Sequence, residues 1–160
     1  MERVVRADRH KSRERGANLV EFAILAPLLI MLLFGIIEFA WIFAQNLDVR
    51  HGAREGARLA AVNFPAGVNN GGARTAANLT ALVNETCGRM DLATGASVEV
   101  DSAGAVGDPA VVTVESAADT LTGLMDWVIP STLTLSSTVE IRIEQPARWT
   151  NSGGTPSLCP

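Results

Sequence analysis

Phe22-Ala23-Ile24-Leu25-Ala26-Pro27-Leu28-Leu29-Ile30-Met31-Leu32-Leu33-Phe34-Gly35-Ile36-Ile37-Glu38-Phe39-Ala40-Trp41-Ile42-Phe43-Ala44 is a run of 23 residues with a single charge, Glu38, and a single proline. As a helix it spans about 34 Å, enough to cross a hydrocarbon layer of about 30 Å. It reads as a membrane-spanning helix. A cleaved secretory signal has a shorter apolar region of about 7–15 residues that ends in small residues. Here the bulky Ile42 stands just ahead of Phe43-Ala44, so a retained helix is the expectation.

The flanks orient the segment. Arg3, Arg6, Arg9, Lys11, Arg13 and Arg15 put six of the 13 basic residues ahead of it, and an excess of Lys and Arg marks the cytoplasmic side. The expected location is the cytoplasmic membrane, crossed once, with the N-terminus cytoplasmic and residues 46–160 extracytoplasmic. Arg50, Arg54 and Arg58 lie past the other end, interleaved with Asp48 and Glu55. The chain has 160 residues, room for one small domain and an appendage. With charged residues at 19% and apolar ones at 48%, it lacks the composition of a disordered chain. Beyond residue 16 the acids outnumber the bases, and no cluster of Lys or Arg can neutralise a row of phosphates. No nucleic-acid partner is expected.

The junction before the apolar run is Arg15-Gly16-Ala17-Asn18-Leu19-Val20-Glu21-Phe22-Ala23. A Gly, four residues, then Glu-Phe at the head of an apolar helix resembles the processing site of type IV prepilins. In that family a membrane peptidase cuts after the Gly and removes the basic leader. Glycine suits such a site because its backbone is unhindered. Further blocks extend the likeness: Ala-Pro-Leu-Leu at 26–29, Phe-Gly-Ile-Ile-Glu-Phe at 34–39 and Ala-Arg-Glu-Gly-Ala-Arg at 53–58. Together, residues 15–62 resemble the TadE-like family, minor pilins or pseudopilins of the tight-adherence pilus. The resemblance implies cleavage between Gly16 and Ala17 and a role in pilus assembly for Glu21 and Phe22. Its implied partners are the lipid bilayer, a prepilin peptidase, other pilin-like subunits and the assembly platform. Past residue 63 only the general layout is similar.

Glu21 lies about 25 Å along the helix from Glu38, so each carboxylate approaches one edge of the hydrocarbon layer. Once Arg15 is cut away, the nearest cation to Glu21 is the new α-amino group of Ala17, in its own chain or a neighbour's. The other reading is a helix macrodipole effect. Pro27 removes one backbone hydrogen bond, and a kink is expected there. For Glu38 the readings are interfacial snorkelling or protonation, and an inter-subunit contact.

Beyond the membrane, Ala53, Ala57 and Ala61 recur at four-residue spacing beside Gly52 and Gly56. They form a narrow face that docks either on the outer domain or on a neighbouring subunit. Arg50, Arg54 and Arg58 form a parallel basic stripe. One helix from about 18 to 61 is expected. Pro65, Gly67, Asn69-Asn70 and Gly71-Gly72 mark a loop after it, and a second helix runs from Ala73 to about Cys87.

The period then changes. Ser97–Asp101 and Val111–Glu115 alternate as strands, and Thr132–Glu144 places Leu133, Leu135, Val139, Ile141 and Ile143 on one face. Leu121–Ile129 reads as a crossing loop or short helix, and the chain after Trp149 as an irregular extension. The expected fold is α+β, with a three-stranded antiparallel sheet packed on the long helix. The division is a leader at 1–16, a membrane helix at 17–45, a helical stalk at 46–62 and an extracytoplasmic domain at 63–160.

Cys87 and Cys159 both fall on the outward side, where disulfides persist. Joined, they tie the tail to the domain; two free thiols or an intermolecular bond are the alternatives. Two cysteines alone make a poor metal site. His10 and His51 fall on opposite sides of the membrane, and no serine or cysteine of the outer domain has a histidine partner. No enzyme and no cofactor are expected. Asn78-Leu79-Thr80 and Asn84-Glu85-Thr86 match the glycosylation sequon, a short pattern with a high chance rate. The function read from the sequence is structural, a pilin-like subunit, with an uncleaved anchored binding module as the alternative.

Overall fold

The structure, a computed structural model, describes residues 6–64, 76–123, 126, 129, 133–149 and 156–160. Helix α1 covers Arg6–Ala61 and helix α2 Ala76–Cys87. Strands β1 (Ser97–Ser102), β2 (Pro109–Ala117), β3 (Thr134–Arg142) and β4 (Ser157–Leu158) form one sheet in the order β3-β2-β1-β4. All its pairings are antiparallel. The fold is α+β, and the chain divides into two compact units, Met1–Phe39 and Ala40–Pro160.

Helix α1 begins at Arg6 rather than near residue 18. Arg, Lys, Glu and Ala dominate residues 6–15, all good helix formers, and no Pro or Gly precedes Gly16. The helix runs through Pro27 and ends at Ala61 in a Schellman motif. Asn63 takes a left-handed conformation, φ 62°, while its N–H donates to Ala60 O and that of Phe64 to Leu59 O. Carbonyls of the last turn also accept from the segment after β3. Trp149 Nε1 donates to Ala60 O at 3.1 Å, and the N–H groups of Glu144 and Gln145 both reach Ala61 O.

In the second unit the small-residue face of α1 docks on the chain's own domain, which decides between the two readings of that face. Val49, Ala53, Ala57 and Ala60 join one core with Leu82 and Val83 of α2, Val98 and Val100 of β1, Val112 and Val114 of β2, and Trp149. The approach is close: a Cβ on Gly56 would stand 2.9 Å from the Thr86 side chain and 3.3 Å from Val112. Two polar side chains of α1 fix its register. Buried Gln45 exchanges hydrogen bonds with the backbone of Asp119, donating to its carbonyl at 2.7 Å and accepting from its N–H at 3.0 Å. Asp48 accepts from the N–H groups of Leu92 and Ala93.

The strands alternate as their pattern announces. Val98, Val100, Val112, Val114 and Leu135 face the core, while Glu115, Ser136, Thr138 and Glu140 stand outside. Leu133, placed on the buried face by its spacing, is 37% exposed because it precedes the first pair of β3. The fourth strand is a correction to the three-stranded reading and to the irregular tail. Ser157 and Leu158 pair with Val98 and Ser97, and Cys159 N–H donates to Ala96 O at 2.7 Å. Cys87 and Cys159 are joined as a disulfide with their Cα atoms 5.6 Å apart. The start of the second helix at 73–75, the loop after Phe64 and residues 150–155 lie outside the described residues, as does part of Leu121–Ile129.

Candidate functional site

Within the first unit α1 stands bare. Leu19, Phe22, Ile24 and Leu28 are each about two-thirds exposed, and no residue of the helix's most apolar 18-residue window is buried. Phe22, Ala23, Ile24 and Leu25 are consecutive and all exposed, so successive 100° steps show apolar groups on every side. A helix with one greasy stripe fits a groove; one apolar all round needs lipid or other helices around it. The stretch Gly16–Ala61 contains a window long and apolar enough to cross a membrane, and it fits a single-pass anchor. Glu38 departs from this pattern. It is 1% exposed although Phe39 beside it is 73% exposed.

The residues singled out at the junction fall within the first turns of this bare region. Gly16, Ala17, Glu21 and Phe22 are all helical and exposed. Ala17 and Glu21, four apart, share a helix face, with Phe22 one step round. Gly16 has a helical neighbourhood with nothing within 4 Å of where a Cβ would stand. Its lack of a side chain therefore answers no packing demand, unlike that of Gly56 on the same helix. Cys87 and Cys159 belong to the other unit.

Arg50, Arg54 and Arg58 are exposed on α1, and Arg58 meets Glu55 at 3.3 Å. The other ion pair among the described residues joins Arg89 to Glu85 at 2.6 Å, and it raises the pKa of this guanidinium above its ordinary value. No group of three His, Cys, Asp or Glu side chains among the described residues stands where a metal ion could be held. Sequence reasoning passed over Gln45, Asp48 and Asn63, the side chains that position the helix on its domain. Only Asn63 carried a local signal, an asparagine just after the last helical residue.

The bare helix and the first packed turns are one stretch of sequence, and a single family covers it. Residues 16–58 match the TadE-like protein family. The TadE-like segment opens on Gly16 itself and closes on Arg58, so it spans the junction, the apolar run and most of the small-residue face. The family is pilus-related and structural in kind. No curated protein and no solved structure matches the chain.

Proposed function

We propose that the protein is a pilin-like subunit anchored in the cytoplasmic membrane by α1. In this reading a prepilin peptidase removes residues 1–16, and the mature chain acts in assembly of a tight-adherence pilus with other pilin-like subunits and the assembly platform. The observation that carries it is the TadE-like match beginning on Gly16, a glycine for which the packing has no use. The basic leader keeps the N-terminus cytoplasmic, leaving residues 46–160 extracytoplasmic, where the disulfide persists.

Cleavage requires the helix to open at Gly16–Ala17, since a peptidase holds its substrate extended. Glycine weakens a helix by about 1 kcal/mol relative to alanine, so opening is cheapest at this point. The cut gives Ala17 a new ammonium group one turn from Glu21. In an assembled filament that amine pairs with the Glu21 carboxylate of a neighbouring subunit and sets axial register, while Phe22 packs among surrounding helices.

The rival is an uncleaved single-pass anchor carrying an extracytoplasmic binding module. It draws on the unbroken helix from Arg6 through Gly16. Intact-mass measurement on protein from cells with an active prepilin peptidase separates the two. The proposal expects a membrane-bound chain starting at Ala17; a chain retaining residues 1–16 overturns it.

A further inference from the structure

The second unit carries two unlike surfaces that cannot meet within one copy. Arg50, Arg54 and Arg58 lie on the exposed side of α1, about 120° around the helix from the centre of the buried stripe of Val49, Ala53, Gly56, Ala57 and Ala60. Arg50 and Arg54 have no ion-pair partner among the described residues. The outer face of the sheet is the counterpart. Glu99 and Asp101 of β1, Glu115 of β2 and Glu140 of β3 share that face, with Arg142 the one basic side chain of the three strands, at its end. None of the four carboxylates has a cationic partner among the described residues, and Glu115 accepts a 3.4 Å hydrogen bond from Ser136.

The spacings agree. Arginines four apart on a helix recur every 6 Å or about that, so the stripe is about 12 Å long. Register puts Glu115 opposite Ser136, so Glu140 lies one strand over and four residues along, about 14 Å from it. Glu99 and Asp101 are about 7 Å apart on β1. Between the two surfaces stand the core and the sheet itself, whose inner face packs on α1.

We infer that the arginine stripe of one copy docks on the acidic outer sheet face of a second copy, a head-to-tail contact between extracytoplasmic units. Each copy then has one donor and one acceptor surface, the arrangement that builds a ring or an open array rather than a two-fold dimer. Exposed ion pairs contribute little individually, so the contact sets partner choice and register, and anchoring in a common membrane supplies the local concentration. The inference rests on the second unit alone and does not require cleavage at Gly16.

The test uses the full-length chain in membranes of expressing cells, with photoreactive p-benzoylphenylalanine replacing Thr138, an exposed residue amid the acidic face. Irradiation should yield an adduct of two copies whose peptide map joins position 138 to residues 50–58. Arg54→Glu should cut its yield at least fivefold, and adding Glu115→Arg should restore it. Adducts only to lipid or to other proteins, no adduct, or a yield indifferent to charge reversal each overturn the inference. A chain that is cleaved but forms no adduct overturns this contact and leaves the pilin reading standing; an uncleaved chain that forms it does the reverse.

Discussion

Gly16 and Gly56 lie on the same helix and make opposite demands on it. Space around Gly16 is open, so Gly16→Leu should leave the fold intact and should block the cut, giving an intact mass that still includes residues 1–16. At Gly56 a methyl group meets Thr86 and Val112, both held in the core, so Gly56→Ala should destabilise by about 1–3 kcal/mol as an overpacked site does. Thermal unfolding of the two variants side by side checks the contrast; equal melting temperatures contradict it. Glu21 makes a third residue-level test. Glu21→Gln is expected to insert and be cleaved normally yet to fail in pilus assembly, read as piliation of cells carrying only this variant. Near-wild-type piliation assigns Glu21 no more than the helix macrodipole effect, about 0.3–1 kcal/mol.

The end of α1 shows what an element's boundary depends on. Asn63 holds the left-handed position that closes the Schellman motif and donates from Nδ2 to Pro146 O at 3.0 Å, while its buried Oδ1 has no hydrogen-bond partner among the described residues. Both Asn63→Gly and Asn63→Val lose the bond to Pro146 O, but glycine keeps the left-handed backbone at no steric cost whereas valine must enter it at about 1–2 kcal/mol, so the valine variant should melt clearly below the glycine variant in a thermal denaturation series. The helix end was legible because Pro65, Gly67 and the Asn and Gly pairs at 69–72 follow a periodic run; the helix start was not. The leader's residues favour a helix by composition, and only the expectation of cleavage drew the boundary near residue 18. The three longer strands were legible from alternation over five or more residues. β4 was invisible, for two residues have no period, and Ser157 and Leu158 become a strand only by pairing with β1 and by the covalent tie at Cys159.

For the whole molecule, the apolar run could be read as a membrane segment because one charge in 23 residues leaves few alternatives, and the match over residues 16–58 falls on that same region. The rest of the candidate site was less legible. The docking of the small-residue face on its own domain needed the sheet to be seen. The second unit is small, and its covalent closure matters accordingly. The Cys87–Cys159 bond spans a sequence separation of 72, worth roughly 4 kcal/mol in the chain-entropy model. Replacing both cysteines by serine should lower the melting temperature markedly, and alkylation before non-reducing electrophoresis should find no free thiol in the wild type; labelling of both cysteines contradicts the intramolecular bond. The claim that joins helix, leader and outer domain is that the chain serves pilus assembly. Its most direct test is an electron-microscopic count of surface pili in source cells that have lost the gene and receive it back. The account predicts loss of pili on deletion, recovery with the wild-type chain and no recovery with Gly16→Leu; piliation unchanged by the deletion would contradict it.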